Sequence, residues 1–277
     1  MKSITLLLCF GLLSASAHAL DLQLEGRRAL VTGSTSGIGY SIARALLAEG
    51  ADVIVNGRTE DGVKAAIEKL REETGRTARG FAADMSTPGG ANAIHAAFPD
   101  VEILVNNVGA YGAKPFEQTT DEDWYRLIEL NVMSGVRLSR LYLPGMRQRN
   151  WGRIIFISSE SAYHIPPDSI QYGMTKAAQI AVARGLAEAT AGTRITVNSV
   201  LPGPTRARPE SGKAADGRLW EEVERRFFTE RRPTSLLKRF GHPDEIGHFV
   251  AFIASPLASA TTGAALRADG GTVKSAF

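Results

Sequence analysis

The stretch "VTGSTSGIGY", residues 31–40, places three glycines between a short apolar run and a longer amphipathic one. The run "RALVT" at 28–32 predicts a buried strand, because short, continuously apolar segments suit strands that are covered on both faces. The segment "IGYSIARALLAEG" at 38–50 has helical periodicity and ends in glycine, a frequent helix terminator. The sequence therefore predicts a strand, a glycine-rich turn and a helix in direct succession.

The three glycines of this turn have separate physical roles. Gly33 allows a tight turn, Gly37 lets the backbone approach a phosphate, and Gly39 lets the helix pack closely on the strand. A helix N-terminus also presents free N–H groups and a partial positive charge to a pyrophosphate. Glycines here could serve the turn alone, but the strand before them and the helix after them favour nucleotide binding.

Strand and helix patterns alternate along the rest of the chain. Further strands are predicted at 51–57, 77–84, 101–107, 152–158, 194–200 and 263–271, and helices at 60–75, 121–149, from about 170 to 191, within 202–240, and at 243–255. Such alternation predicts a parallel sheet covered on both faces. We expect the α/β class, with residues 20–277 forming a single doubly wound Rossmann domain of seven parallel strands.

Composition excludes several classes of protein. The 277 residues include 44% hydrophobic and 22% charged side chains, which is ordinary for a globular domain. The net charge of +3 is small and gives no indication of nucleic acid, and no membrane partner is expected. The single cysteine, Cys9, excludes an internal disulfide framework and a cysteine zinc site, and the five histidines lack metal-ligand spacing. We therefore expect no metal.

Residues 1–19 stand apart from this domain. Lys2 precedes an apolar run from Ile4 to Leu13, and "AHA" follows at 17–19, which is the layout of a cleavable signal peptide. The run is too short to span a bilayer. The alternative interpretation is a misassigned start, with the protein beginning near residue 20.

The motifs of this chain resemble those of the short-chain dehydrogenase/reductase family. Residues 32–39 match the family's cofactor fingerprint T-G-x-x-x-G-I-G in full. The similarity continues through "NNVG" (106–109), Asn131, "SS" (158–159), "YGMTK" (172–176) and "PG" (202–203), and covers about residues 24–272. One departure is Val108, where the family usually has alanine and where we expect a packing adjustment.

Tyr172 and Lys176 lie four residues apart, so on a helix they share one face. A free phenol has a pKa near 10, too high for a base at neutral pH, and a neighbouring ammonium group favours the phenolate. Lowering that pKa by about three units requires roughly 4 kcal/mol of differential stabilisation. We expect Lys176 to supply it in a partly dry site, helped by an oxidised nicotinamide.

The resemblance implies a catalytic set of Asn131, Ser159, Tyr172 and Lys176. In it Tyr172 exchanges a proton with the substrate oxygen, which Ser159 also holds. Lys176 binds the nicotinamide ribose, and Asn131 holds a water that links the lysine to solvent. Ser158 is one residue away from Ser159 and is expected to face the other side of the strand.

The same resemblance, with the charge pattern after the second strand, predicts the cofactor. Asn56 replaces the acid that would accept from the ribose of NAD, and Arg58 can pair with a 2′-phosphate, so NADP is expected and NAD is less favoured. The alternative role for Arg58 is stacking on adenine or facing solvent. The expected cofactor-binding residues are Gly33, Ser34, Thr35, Ser36, Gly37, Ile38, Gly39, Arg58, Asp84, Met85, Asn107, Tyr172, Lys176, Pro202, Gly203 and Thr205.

These features predict an oxidoreductase that moves a hydride between NADP(H) and a ketone or secondary alcohol. The competing hypothesis is a catalytically silent dinucleotide-binding sensor or scaffold, and a nucleotide-sugar epimerase or dehydratase is disfavoured by length. Residues 203–240 are expected to form a substrate lid, in which Trp220, Val223 and Phe227 share one helical face. The arginines of this segment could meet an acidic substrate or face solvent.

Assembly and location follow from the family resemblance. A homotetramer is expected, with the apolar segment 251–266 in one interface. Relatives that reduce carrier-bound substrates dock the carrier on arginines, but Asn150 and Thr193 hold the matching positions, which weakens that assignment. Because NADPH is a cytoplasmic cofactor, a cytoplasmic location is expected, with export to the periplasm through residues 1–19 as the alternative.

Overall fold

A computed structural model describes residues 20–206 and 219–276 of the chain. The signal-peptide or start-site hypothesis concerns residues 1–19 and lies outside this range. Residues 207–218 of the expected lid lie outside it as well. Within the described ranges no helix is both long enough and apolar enough to cross a bilayer.

Seven strands in the described residues form one parallel sheet. They are β1 (Arg28–Val31), β2 (Asp52–Gly57), β3 (Arg79–Ala82), β4 (Ile103–Asn106), β5 (Gly152–Ile157), β6 (Ile195–Pro202) and β7 (Ala265–Ala268). Their order across the sheet is β3-β2-β1-β4-β5-β6-β7, and every pairing is parallel. The chain therefore reverses direction across the sheet between β1 and β4, where open α/β sheets leave a crevice at the carboxyl ends of their strands.

In the part of the chain that the structure describes, eight α-helices cover the two faces of this sheet. They are α1 (Gly37–Ala48), α2 (Glu60–Thr74), α3 (Pro88–Ala97), α4 (Asp121–Leu127), α5 (Ser134–Arg149), α6 (Ile170–Ala189), α7 (Trp220–Glu230) and α8 (Pro243–Ala254). Apolar residues of α1, α2 and α8 share one core with Val31 and Val55, and residues of α3, α5 and α6 share another with Leu30 and Ile54. Because successive strand residues point to opposite faces, each of these strands serves both cores.

Two predicted helical features differ in the structure. The expected helix over 121–149 is interrupted by a π-helical turn at Ile128–Met133, between α4 and α5. The sequence pattern gave no helix at Pro88–Ala97, where the structure has α3. Its start signals are Thr87, whose side chain accepts from the Gly90 N–H, and a proline in the first turn, while two glycines weaken the helical pattern.

Candidate active site

A cavity of about 580 Å³ lies at the carboxyl ends of β4, β5 and β6. Three of the four predicted catalytic residues line it, namely Ser159, Tyr172 and Lys176. The predicted cofactor residues Pro202, Gly203 and Thr205 line it too, as does Ile38 at the start of α1. The tyrosine, the lysine and the serine therefore meet at one site, as their sequence spacing predicts.

Lys176 is almost fully buried on α6, with 4% of its surface exposed. Its Nζ donates to the Ile157 carbonyl at 2.8 Å and to Gln179 Oε1 at 3.1 Å. Burial lowers the pKa of Lys176 to about 7, because an ammonium group is poorly solvated there. The charge of this residue is therefore sensitive to pH in the neutral range.

Tyr172 lies beside Lys176, whose Nζ is 5.6 Å from the centroid of the phenol ring. Burial raises the pKa of Tyr172 to about 12, helped by the Glu160 carboxylate and Tyr111 and opposed by the Ser159 hydroxyl and Arg232. Our expectation of a pKa lowered by the lysine is therefore wrong for these side chains by themselves. The physical reason is that burial disfavours both charged forms, the phenolate and the ammonium.

Ser159 follows β5 and caps the short turn Glu160–Ala162. Its Oγ accepts from the Ser161 N–H at 3.1 Å and donates to Glu160 Oε2 at 3.0 Å. The neighbouring Ser158 hydroxyl donates instead to the Lys176 carbonyl at 2.8 Å. The two serines thus have different partners, as expected from their register, although both border the cavity.

Asn131 is fully buried in the π-helical turn. Its Oδ1 accepts from the Ala110 N–H at 2.8 Å, and its Nδ2 donates to the Ala110 carbonyl at 3.1 Å and to Thr175 Oγ1 at 2.9 Å. The side chain thus ties the loop after β4 to α6. A Cβ on Gly109 would lie 3.3 Å from Asn131 Oδ1 and 3.4 Å from Lys176 Nζ, so the two residues approach the same point of that loop.

A buried ion pair that the sequence analysis did not identify stands next to Ser159. Arg232 Nε donates to Glu160 Oε1 at 2.8 Å, and the two side chains are 9% and 3% exposed. Glu160 also accepts from the hydroxyls of Ser159 and Ser161. The available signal was an acid directly after two serines, but nothing in the sequence identified Arg232 as its partner 72 residues away.

Aromatic rings from the predicted lid close one side of the cavity. Phe227 of α7 packs against Phe228 and Phe240 with ring centroids 5.2 and 5.0 Å apart, and both Phe227 and Phe240 line the cavity. Arg231, which also lines it, pairs with Asp168 at 2.5 Å. The two cavity arginines, Arg231 and Arg232, are therefore each paired with a carboxylate of the protein.

A second cavity, of about 560 Å³, adjoins the first through the shared residues Gly109 and Ala110. The predicted cofactor residues along it are Gly33, Thr35, Ser36, Arg58, Asp84, Met85 and Asn107. The two cavities together form an extended groove from the glycine-rich turn to Tyr172. A groove of this form can hold a dinucleotide across the point where the strand order reverses.

The N-terminus of α1 is suited to a phosphate group. No side chain caps it, and no acid occupies its first turn, whereas side chains cap α2, α3, α4 and α8. Its first backbone N–H groups are therefore available to an anion. Gly33 has φ +61°, and a Cβ on Gly39 would lie 2.4 Å from the Gly33 carbonyl oxygen, so both positions require glycine.

Three polar residues around this turn hold the turn itself. Ser34, predicted to bind cofactor, is fully buried and donates to the Val31 carbonyl at 2.6 Å, so its hydroxyl faces away from the groove. Asn107 donates to the carbonyls of Thr32 and Gly33 at 2.8 and 3.1 Å. Asn56, which we aligned with the ribose-binding acid, accepts from the Gly33 N–H at 3.2 Å and is buried. The Asn56 side chain is thus engaged by the glycine-rich turn, and Asn56, Gly57 and Arg58 all border the groove at the end of β2.

Charges at this end of the groove have opposite signs. Arg58 is exposed, and Asp84 accepts from the Ser86 hydroxyl at 2.7 Å and from its N–H at 2.9 Å. These hydrogen bonds, with a smaller contribution from Arg58, hold the pKa of Asp84 below its usual value.

Among the residues at 20–206 and 219–276, no cluster of three or more metal-ligating side chains is present.

Fold and site together define a dinucleotide-dependent oxidoreductase, and comparison with known proteins agrees. The chain belongs to the short-chain dehydrogenase/reductase family, as its sequence motifs indicated. The family profile described as "Enoyl-(Acyl carrier protein) reductase" matches residues 33–273.

Similar proteins cover nearly the whole chain. "Uncharacterized oxidoreductase YvaG" of Bacillus subtilis (strain 168) is 45% identical over 264 residues, which are 93% of this chain and 100% of that protein. D-beta-hydroxybutyrate dehydrogenase of Cupriavidus necator is 34% identical over 261 residues, 91% of this chain and 99% of that protein. The crystal structure of L-sorbose reductase from Gluconobacter frateurii, complexed with NADPH and L-sorbose, has a TM-score of 0.81 and 31% identity, covering 92% of this chain and 100% of that one.

Proposed function

We propose that this protein transfers a hydride between NADP(H) and a ketone or secondary alcohol, with Tyr172 as the proton donor or acceptor. The observation that carries the proposal is the position of Tyr172, Ser159 and Lys176 on one cavity that adjoins a groove suited to a dinucleotide. A reduced nicotinamide supplies the hydride when bound, and the chain supplies position and proton transfer.

Each residue has a distinct task in the reduction. The raised pKa of Tyr172, about 12, keeps its phenol protonated at neutral pH, so the phenol can give its proton to an alkoxide forming on the substrate. The Ser159 hydroxyl, which lines the same cavity, donates a hydrogen bond to that oxygen. For this it must turn from Glu160, to which it donates at 3.0 Å. Lys176 in its charged form binds the ribose hydroxyls of the nicotinamide and stabilises the phenolate that remains.

Charge at the end of β2 supports NADP over NAD. Gly57 and Arg58, which border the groove at this point, are not acidic. A carboxylate here would repel a 2′-phosphate. The exposed guanidinium of Arg58 can pair with that phosphate through two hydrogen bonds. The sorbose reductase with a similar fold was solved with NADPH, which agrees with this choice.

The substrate class is a small carbonyl compound with an apolar part. The aromatic wall of Phe227 and Phe240 suits an apolar group. Arg231 and Arg232, the arginines that line this cavity among the described residues, are already paired with protein carboxylates, which disfavours an acidic substrate. We propose the segment 203–240 as the substrate lid, a homotetramer as the assembly, and the cytoplasm as the location.

The test is a ketone panel followed by loss of NADPH absorbance. We expect turnover of at least one ketone, and we expect Tyr172→Phe to lower kcat by at least about 1,000-fold while NADPH still binds. Tyr163→Phe is the matched control, because Tyr163 is exposed and outside the cavity. Tight NADPH binding without turnover of any substrate would favour the sensor hypothesis instead.

A further inference from the structure

The carboxamide of Gln179 bridges two buried groups of the site. It lies three residues after Lys176 on α6, where its Oε1 accepts from Lys176 Nζ at 3.1 Å. Its Nε2 donates to the backbone carbonyl of Asn131 at 2.6 Å. Gln179 is 1% exposed, Asn131 0% and Lys176 4%, so the whole bridge is buried.

Hydrogen-bond chemistry fixes the orientation of this carboxamide. A backbone carbonyl only accepts, so the NH₂ group of Gln179 has to face Asn131. The oxygen then faces Lys176, and the flipped amide would oppose two donors at one end and two acceptors at the other. Gln179 therefore presents a partial negative charge to the ammonium group.

The π-helical turn makes the Asn131 carbonyl available for this bond. Two consecutive carbonyls of the turn accept from side chains: Leu130 from Ser134 Oγ at 2.6 Å, and Asn131 from Gln179. Wider turns of this kind shift the usual backbone pairing, and they occur frequently at functional sites. The position next to the lysine is therefore filled by a fixed side chain of the fold.

We propose that Gln179 is a positioning residue for Lys176. Gln179 holds the lysine ammonium group in its charged form, between the Ile157 carbonyl and the π-helical turn. This inference rests on the proposed function, in which charged Lys176 supports Tyr172. Burial alone disfavours the charged ammonium group and lowers the pKa of Lys176 to about 7, whereas a hydrogen bond to an acceptor such as Gln179 Oε1, at 3.1 Å, favours the charged form.

Other ionisable groups near the lysine come from several elements. Tyr172 is on the same helix, Tyr111 follows β4, Glu160 follows β5, and Arg232 follows α7. Glu160 and Arg232 pair with each other, and the raised pKa of Tyr172 keeps its phenol protonated near pH 7 unless it reacts. Gln179 is therefore the neighbour whose replacement changes the charge facing Lys176 directly.

Two nearly isosteric variants test the proposal. Gln179→Met removes the acceptor. In a plot of kcat for ketone reduction against pH, we expect the alkaline limb, where kcat falls as Lys176 loses its proton, to move about one pH unit lower. At pH values above that limb, kcat of the variant should be about tenfold below that of the wild type. Gln179→Glu replaces the amide oxygen by a carboxylate, and the limb is expected to move to higher pH. Gln171→Met is the matched control, because Gln171 is a buried glutamine of the same helix without a bond to Lys176, and it should leave the limb unmoved.

A second readout separates this proposal from the proposed function. The dissociation constant of NADPH, measured by fluorescence against pH, should show the same opposite shifts without any turnover. The change of this dissociation constant with pH is assigned to Lys176 if it disappears in the variant Lys176→Arg, whose side chain stays charged. If no ketone is reduced but NADPH binds, the proposed function fails and the binding curves alone decide the role of Gln179.

The positioning role predicts opposite shifts of the alkaline limb in Gln179→Met and Gln179→Glu. Alkaline limbs that stay in place in both variants, or that move in the same direction, overturn this role. If Gln179→Met does not fold, Gln179→Glu decides by itself: a limb at higher pH supports the role, and a limb at the wild-type pH overturns it.

Discussion

Breaking the Glu160–Arg232 ion pair is expected to destabilise the protein strongly. The substitution Arg232→Met keeps the length of the side chain and removes its charge. Glu160, whose side chain is 3% exposed, then keeps the hydroxyl donors Ser159 and Ser161 as its side-chain partners among the described residues. A carboxylate that is buried without its counter-ion loses solvation that the remaining hydrogen bonds do not replace.

The magnitude follows from the burial of the pair. Its side chains are 9% and 3% exposed and join at 2.8 Å, so solvent screens them little. Removing one partner of such a pair costs about 3–5 kcal/mol, a large part of the roughly 5–15 kcal/mol that stabilises a domain. Removing both, in Glu160→Gln with Arg232→Met, should cost less than the sum of the single changes, with a coupling energy of about 2 kcal/mol or more.

Urea unfolding followed by circular dichroism measures these values in a double-mutant cycle. The matched control is Arg226→Met, because Arg226 pairs with Glu230 on the exposed face of α7, where the side chains are 63% and 56% exposed. That change should cost less than about 1 kcal/mol. If Arg232→Met costs no more than Arg226→Met, or if the cycle closes without coupling, the reasoning about this pair is refuted.

Three further predictions concern Lys176, Gly39 and Arg58. The lowered pKa of Lys176, about 7, means that the folded protein binds fewer protons than the unfolded chain between about pH 7 and 10.5, so the contribution of this residue to stability rises with pH in that window and is lost as pH falls through 7. Lys176→Met should flatten that slope in urea unfolding, and an unchanged slope would contradict the assignment. Gly39→Ala places a Cβ 2.4 Å from the Gly33 carbonyl oxygen and should lower the free energy of unfolding by about 1–3 kcal/mol, whereas Gly89→Ala, with nothing within 4 Å, should cost less than about 1 kcal/mol. Arg58→Glu should lower kcat/KM for NADPH by at least about tenfold and that for NADH by much less; equal losses for both would mean that Arg58 does not select the phosphate.

The sequence predicted the sheet and the meeting of the site residues well, because both depend on local patterns. Seven apolar runs gave the seven strands, and the spacing of Tyr172 and Lys176 requires only a regular helix. The glycine turn was equally readable, since backbone conformation and close packing dictate Gly33 and Gly39. These features are encoded in short segments, where periodicity and single residues carry the information.

The remaining features depend on contacts between distant segments. Nothing local in the sequence pairs Glu160 with Arg232, and nothing shows that burial raises the pKa of Tyr172 above its free value. The bond from the Gly33 N–H to the Asn56 side chain was not predicted either, because it joins the ends of two different strands. Partners, burial and the resulting pKa values are properties of the assembled fold.

The π-helical turn at Ile128–Met133 has a consequence for how this chain is aligned and altered. A π turn holds one more residue than the α-helical turn it replaces, and each residue of an α-helix advances the angle by about 100°. Deleting one residue here would restore a regular helix, but α4 would rotate by that angle against α5, and the Asn131 carbonyl would lose its direction towards α6. Alignments that place a gap in this segment therefore compare residues on different sides of the helix.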